Sequence, residues 1–439
     1  MRKKMALFAI VSFLLCNSIK AQEIDSTLTA SGNVHLLRLQ KSYTMGEGIK
    51  IRSSVGNITF NQSLQTLYAV TSANNFNSTS SEFTINRARL TMKGNIFDKR
   101  ISISARVNFP GNYQSATTGS RTFNPEMEEA LIQFSPSPTH TFNVGLRADY
   151  IDSREIRIEG EDNGFIGRSA ASSAFDAIFD YGIRYIGKYN IGGKQILKPY
   201  LSLTTGDGRA GLQNNFGGLK YGIRLDYLPF DEFTSGGESH MEDVARESTP
   251  KLVVGAVVSI DKGATSAYGT NGGRYLYGDA SQNIALPDYT KCIIDYLFKY
   301  RGFYSMGSIT ATTAAVPISI AGAYKLSGAY SPYSGLSTHQ IDSTVRSYLN
   351  LGTGYNIQAG YLFKSDWSFG LRYSYLNNDI YSAAFANSNR NYSVVVTKYL
   401  SGNNLKIQVE GDYYELQNSL QSTNNKGTYW GQVMFCVNL

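Results

Sequence analysis

The chain has 439 residues, a formal net charge of +7 and only 17% charged residues, with 31 tyrosines, 42 glycines and 10 prolines. So much aromatic content excludes disorder. Arg2, Lys3, Lys4 and Lys20 carry four of the positive charges within the first 21 residues, which hold no acid; removing those four leaves +3 and no later Lys/Arg run, which excludes a nucleic-acid partner.

In chain order, residues 1–21 read as a secretory signal peptide: a basic start, an apolar run over 5–16 too short to span a bilayer, and cleavage between Ala21 and Gln22. Ile19 stands three before that site, where a small residue is preferred. Cys16 offers a lipidation alternative, against which stands the large Leu15 before it. The exported chain then keeps Cys292 and Cys436, too few for a disulfide framework. No later segment carries about 18 uninterrupted apolar residues. An exported chain of this kind is either a soluble β protein or a β-barrel. Residues 22–56 read as an N-terminal periplasmic segment, within which 48–55 is either a short strand or a plug.

From residue 57 to 439 the pattern has period two. At 218–230, G-L-K-Y-G-I-R-L-D-Y-L-P-F sets Leu219, Tyr221, Ile223, Leu225 and Tyr227 on one face and Lys220, Arg224 and Asp226 on the other. Sixteen such segments are predicted: 57–70, 82–93, 100–110, 124–135, 140–150, 178–189, 196–205, 216–228, 251–261, 288–300, 303–314, 350–363, 367–377, 389–399, 404–416 and 427–439. The faces of 303–314 and 389–399 are ambiguous. Most are long enough to cross a bilayer when tilted. Connections after even-numbered segments are short, apart from 229–250, and those after odd-numbered segments are longer, notably 151–177, 262–287 and 315–349. The expected fold is therefore all-β: a transmembrane antiparallel β-barrel of sixteen strands with short periplasmic turns and long extracellular loops. Outward faces such as Phe142, Val144, Leu146, Ala148, Tyr150 and Trp367, Phe369, Leu371, Tyr373, Tyr375 are expected to meet lipid, with tyrosine girdles near the strand ends. The last strand alternates as Tyr429, Val433, Phe435, Val437, Leu439, a form that the barrel assembly machinery reads.

Three stretches, F-T-I-N-R-A-R-L-T-M-K-G-N-I-F (83–97), the 218–230 segment and D-Y-L-F-K-Y-R-G-F-Y-S (295–305), resemble the phosphate-selective porins of the O and P type and their broader relatives in Gram-negative bacteria. The resemblance implies a sixteen-stranded barrel, often a homotrimer, that passes anions through a basic constriction. The dense arginine ladders and loop lysines of the phosphate-selective subset are only partly present.

The polar phase of the strands gives a predicted pore lining: Arg87, Arg89, Lys93, Arg106, Arg147, Arg184, Lys188, Lys220, Arg224 and Arg372, with Lys406. The acids on those faces are Asp149, Asp180, Asp226, Glu410 and Asp412, so bases prevail and anions are expected to be favoured. The plainer alternative is cross-strand ion pairing that only holds the wall. Arg87 and Arg89 are the preferred selectivity residues, with no acid beside them in their strand; replacing both with Glu is expected to favour cations and to leave folding intact in a wet lumen. Phe83 and Ile85, in the same phase as these arginines, conflict with that register. The loop 152–177 is expected to fold inward and narrow the barrel, with 315–349 as the rival.

The remaining motifs carry no chemistry. G-x-G-x-x-G at 206–211 precedes another strand rather than a helix, and reads as a hairpin loop. Gly192, Gly193 and Lys194 lack Walker spacing. His35, His140, His240 and His339 have no metal-ligand spacing, and no G-x-S-x-G occurs. E-G-E-D-N-G at 159–164 reads as a solvated acidic loop rather than a calcium site. No enzyme activity, cofactor or metal is expected. The expected partners are small hydrophilic solutes, mainly anions, and outer-membrane lipid. A barrel for one particular solute and a non-transport surface barrel or adhesin are the alternatives.

Overall fold

The computed structural model describes residues 38–39, 43–54, 56–73, 78–96, 100–109, 113–114, 121–122, 125–176, 179–206, 208, 217–266, 275–325, 327–378, 390–415 and 427–439. The expected signal peptide lies outside them, as does most of 22–48 and of the glycine motif at 206–211.

Sixteen antiparallel strands close into a barrel. They are β1 (Gly56–Ala73), β2 (Ser78–Ile96), β3 (Ile101–Asn108), β4 (Glu126–Ser137), β5 (His140–Ala148), β6 (Phe179–Gly187), β7 (Gln195–Thr204), β8 (Lys220–Leu228), β9 (Lys251–Asp261), β10 (Asp288–Tyr300), β11 (Phe303–Ala315), β12 (Gly352–Leu362), β13 (Trp367–Asn378), β14 (Arg390–Tyr399), β15 (Leu405–Glu415) and β16 (Thr428–Asn438). Each pairs with its chain neighbour, and β16 closes on β1 with Val433 opposite Tyr68. A short strand, one of the two alternatives for 48–55, stands at Ile49–Ser53 and pairs with the start of β1. β1 and β2 run 18 and 19 residues, so their connection is far shorter than the pattern suggests. Their ends are rich in Ser and Thr and pair through the backbone without apolar alternation, so the sequence signal stops before the ladder does.

The outer face is greasy. Ile223, Ile294, Ile309, Ile357, Leu371 and Val409 each leave more than half of their surface open. Tyr355, Tyr373, Tyr392, Tyr413 and Tyr429 form a row from β12 to β16, with adjacent ring centroids 4.9–6.2 Å apart. Such a row is an interfacial girdle. The two ambiguous strands settle as well: even positions of β11 from Tyr304 to Ala314 and odd positions of β14 from Asn391 to Tyr399 point inward. At the long-loop end, strands Leu276–Gly278, Gly322–Tyr324 and Tyr330–Pro332 form a small sheet over helix α3 (Thr338–Ser347).

Two bulges break the period of two where it matters. In β2 the register shifts opposite Gln65 and Thr66, leaving Asn86 as the extra residue. Phe83 and Ile85 therefore face outward, 74% and 50% exposed, while Arg87 and Arg89 face in. In β4 the register shifts between Arg106 and Val107, so the successive residues Glu128 and Glu129 both reach the interior.

Candidate functional site

The loop between β5 and β6 turns back into the barrel, as expected of 152–177. Only Ser173 of residues 151–176 is exposed. The loop carries two short helices, α1 (Arg154–Arg157) and α2 (Ala170–Phe175), the second capped by Ser169 Oγ, which accepts from Ser172 N. An irregular backbone away from bulk water must find partners for its polar groups, and the wall supplies them. Lys406 donates to Asn163 O (2.9 Å), Gln408 to Gly164 O (2.9 Å) and Arg372 to Gly167 O (2.7 Å), while Asn356 donates to Ser169 Oγ (2.7 Å). At the loop's base, Arg154 and Arg224 share Asp226 and Asp295 in a buried quartet with N–O distances of 2.6–3.2 Å. Gly255 leaves room for it, since a Cβ there would lie 2.2 Å from Arg224 Nη2. Lys291 pairs with Asp152 beside it.

The inserted turn at 229–250 enters from the opposite end and meets the loop. Met241 N donates to Asp162 O (3.0 Å), and His240 Nδ1 lies 2.8 Å from Asp162 Oδ1. Between them lies an apolar core: Ile158 and Phe165 of the loop and Phe233 and Met241 of the turn pack on Leu228, Val253, Leu297 and Met306 of the wall. A wholly wet lumen is thus not what the chain builds. The inward apolar residues lie toward the short-turn ends of their strands, where the turn folds over them.

The predicted lining residues have unequal fates. Arg89 is far from unpaired: it meets Glu128 (2.7 Å), Glu161 (2.8 Å) and Glu159 (3.3 Å). Arg106 meets Glu159 at 2.6 Å. The acidic motif at 159–164 is therefore a tether to wall arginines rather than a solvated loop, and no cluster of metal-ligand type occurs among the described residues. Arg87 donates to Gln65 Oε1 (2.6 Å). Arg184 is fully buried, with Nε 3.2 Å from Asp149, and Arg372 meets Glu410 at 3.0 Å and lies over the Phe165 ring. Arg224 belongs to the buried quartet, and Lys220 is buried at the start of β8. Lys188 pairs with Glu232 of the inserted turn (2.6 Å), and Lys93 is exposed near the short-turn end of β2.

Arg147 differs from the rest. It has no carboxylate partner among the described residues; its Nε donates to Ala148 O (3.1 Å), and its guanidinium carbon lies 4.3 Å from the centroid of the Tyr150 ring. Tyr150, expected on the lipid face, is turned inward and stands 5.0 Å from the Tyr200 ring. Leu146, from the same expected face, is fully buried, and Ala148 lines the interior. The ladder stays in register through Gly145 (φ +129°, where a Cβ would sit 2.1 Å from Ala130 O) to its last residue, Ala148; Tyr150 lies past that end, where the chain leaves the strand for the loop. Arg157 sits 5.2 Å and 5.1 Å from the Tyr150 and Tyr200 centroids, with Asp226 3.4 Å away.

These groups border a cavity of about 310 Å³ between the β3–β7 wall, the loop and the tip of the inserted turn. Arg106, Arg147, Arg154 and Arg157 line it, with Glu129, Glu159 and Glu238. Burial alone would raise the Glu159 carboxyl, but Arg106 and Arg89 outweigh it and hold the group below its ordinary value. The cavity therefore presents fixed charges of both signs.

The structure resembles that of Pseudomonas putida OprB at high pH, with a TM-score of 0.50, 9% identity, and coverage of 87% of this chain and 94% of that one. The chain has the fold of an outer-membrane porin. It is also similar to the anion-selective porin from Comamonas acidovorans (TM-score 0.49, 10% identity, 88% and 100% covered). A third resemblance is to the outer-membrane channel DcaP of Acinetobacter baumannii (0.47, 9%, 89% and 99%). No family model and no curated protein matches the chain. The closed barrel with its apolar belt is built for the outer membrane.

Proposed function

We propose that the protein is an outer-membrane channel for passive diffusion of small hydrophilic solutes, with a preference for anions. The observation that carries this reading is the cavity beside β3–β7, where Arg147 has no carboxylate partner among the described residues and Arg157 only a distant one. A low-dielectric wall focuses the field of such groups, and several weak sites let an ion enter and leave again. Arg106, Arg147 and Arg157 line the path, Arg89, Arg224 and Arg372 hold the plug, and Arg184 braces the wall beside it. Phosphate-like anions among those that pass, a homotrimer, removal of residues 1–21 and reading of β16 by the assembly machinery complete this proposal. A barrel for one particular solute is the second reading, favoured by the apolar core that fills part of the interior.

Planar-bilayer recording of the purified protein in a KCl gradient tests the proposal. Discrete conductance steps with a reversal potential on the chloride side are expected. Silent bilayers overturn the channel, and reversal on the potassium side overturns the anion preference.

A further inference from the structure

We infer that the cavity is a binding site for a small organic monocarboxylate that also carries hydroxyl donors, a sugar acid being the fitting class, in preference to inorganic phosphate. This rests on the proposed channel and names its solute.

A guanidinium stacked on an aromatic ring uses its face and keeps its in-plane N–H edge free for a carboxylate. Arg147 lies in this way over Tyr150; its Nε donates to Ala148 O (3.1 Å) and its Nη1 to the Asn143 side-chain oxygen (3.1 Å), which leaves Nη2 for a ligand. Arg157 lies across Tyr150 and Tyr200 beside it. Two guanidinium groups, each with one Nη engaged, thus lie next to a pair of tyrosine rings with 5.0 Å between centroids. A carboxylate suits the edges, and the apolar face of a small ring suits the tyrosines.

Charge decides against phosphate. Among the lining groups Arg106 is paired with Glu159, Arg154 with Asp226 and Asp295, and Glu238 with Lys198, which leaves Arg147 and Arg157 against Glu129, one net positive charge. A monoanion cancels it, while a dianion overshoots and meets Glu129. Glu129 accepts from Ser104 Oγ and has no cation partner within ion-pair distance among the described residues. A ligand hydroxyl can donate to it; a phosphate dianion has nothing to donate. The volume, equivalent to about ten waters, holds one six-carbon sugar acid and falls at the lower end of small-molecule sites.

The test is block of ionic current through the full-length protein in planar bilayers. Glucuronate, inorganic phosphate and glucose are added in turn at constant ionic strength. Glucuronate is expected to interrupt the current at concentrations about tenfold below phosphate, and glucose to leave it unaffected. Arg147→Gln and Tyr150→Ala are each expected to weaken the glucuronate block about tenfold, the scale of one charge-assisted contact. Lys262→Gln, on an exposed loop, serves as the control. Variants are first shown to be folded by their heat-modifiable gel mobility. Phosphate blocking as well as glucuronate, or a full block in folded Arg147→Gln, overturns the inference. Conductance without any glucuronate block also removes the sugar-acid site but leaves the channel standing. Absence of conductance removes the channel; calorimetric titration of the detergent-solubilised protein with glucuronate then decides the site alone.

Discussion

The wall from β8 to β15 and the wall from β3 to β7 belong to one closed sheet, yet they treat the interior differently. On the first, inward charges are spent. Arg224, Arg372, Lys291 and Lys406 hold the re-entrant loop through carboxylates and loop carbonyls, and an apolar core fills the space between. On the second, Arg106 and Arg184 are paired as well, but Arg147 lacks a carboxylate, Tyr150 is turned in and a cavity remains. The same residue type therefore serves packing throughout the first wall and leaves one arginine open on the second. What separates the two roles is whether a loop carboxylate or carbonyl arrives to meet the arginine.

The largest effect should come from removing the plug. Replacing residues 158–167 with a short Gly/Ser link takes away the loop's half of the apolar core and its Glu159 and Glu161 tethers. A sixteen-stranded barrel without it is a wide aqueous channel. Single-channel conductance should rise severalfold, and shortening 234–240 should raise it further. Unchanged conductance in both would mean that the path lies elsewhere.

Next comes stability. Asp295→Ala strands Arg154 and Arg224 inside the packed half, where an uncompensated buried charge costs about 3–5 kcal/mol. Arg147→Gln on the open half removes no ion pair and should cost less than about 1 kcal/mol. Urea unfolding followed by loss of heat-modifiable mobility would rank them. Equal losses would erase the distinction between the halves.

Selectivity sharpens the comparison further. Arg147→Glu should move the reversal potential in a KCl gradient toward cation preference in a folded protein. Arg89→Glu should instead fail at assembly, because it would place a fourth carboxylate among Glu128, Glu159 and Glu161. A folded Arg89→Glu protein with shifted selectivity would reverse these assignments.

The barrel was legible because lipid on one side and polar interior on the other impose period two on every strand, and each predicted segment overlaps an observed one. The inward loop was also legible, from its length and its arginines. What period two could not show was any place where the period breaks. The bulges at Asn86 and Glu128 and the end of the β5 ladder at Ala148 reassign Phe83, Ile85, Glu128, Glu129 and Tyr150 between faces. The signal was present in part: Phe83 and Ile85 shared a phase with Arg87, a conflict that only a bulge resolves. The partners of Arg89 were hidden for a different reason, since Glu159 and Glu161 lie some seventy residues away, in a loop whose path no local pattern fixes.

Acid should act on the two ends of the loop in opposite senses, and this is the smallest of the expected effects. At the tip, burial by itself would raise the Glu161 carboxyl, but Arg89 and Arg87 outweigh it and hold the group at about 2, below its ordinary 4.5. A carboxyl depressed in the folded state gives anchoring that is complete above 4.5 and fades as pH falls toward 2, on the order of 3 kcal/mol in all. At the base, burial and then the charge of Asp152 raise Asp176 from 3.8 to about 6, against the pull of Lys291. Its folded form therefore takes up a proton first, and stability grows as pH falls from 6 to 3.8. Between pH 7 and 5 only the base responds, so conductance should stay level or fall slightly. Near pH 3 the tip should loosen and conductance should rise. Glu161→Gln should abolish the rise, and Asp176→Asn should remove only the earlier change. A steady rise that begins at pH 6 would mean that neither carboxyl controls the loop.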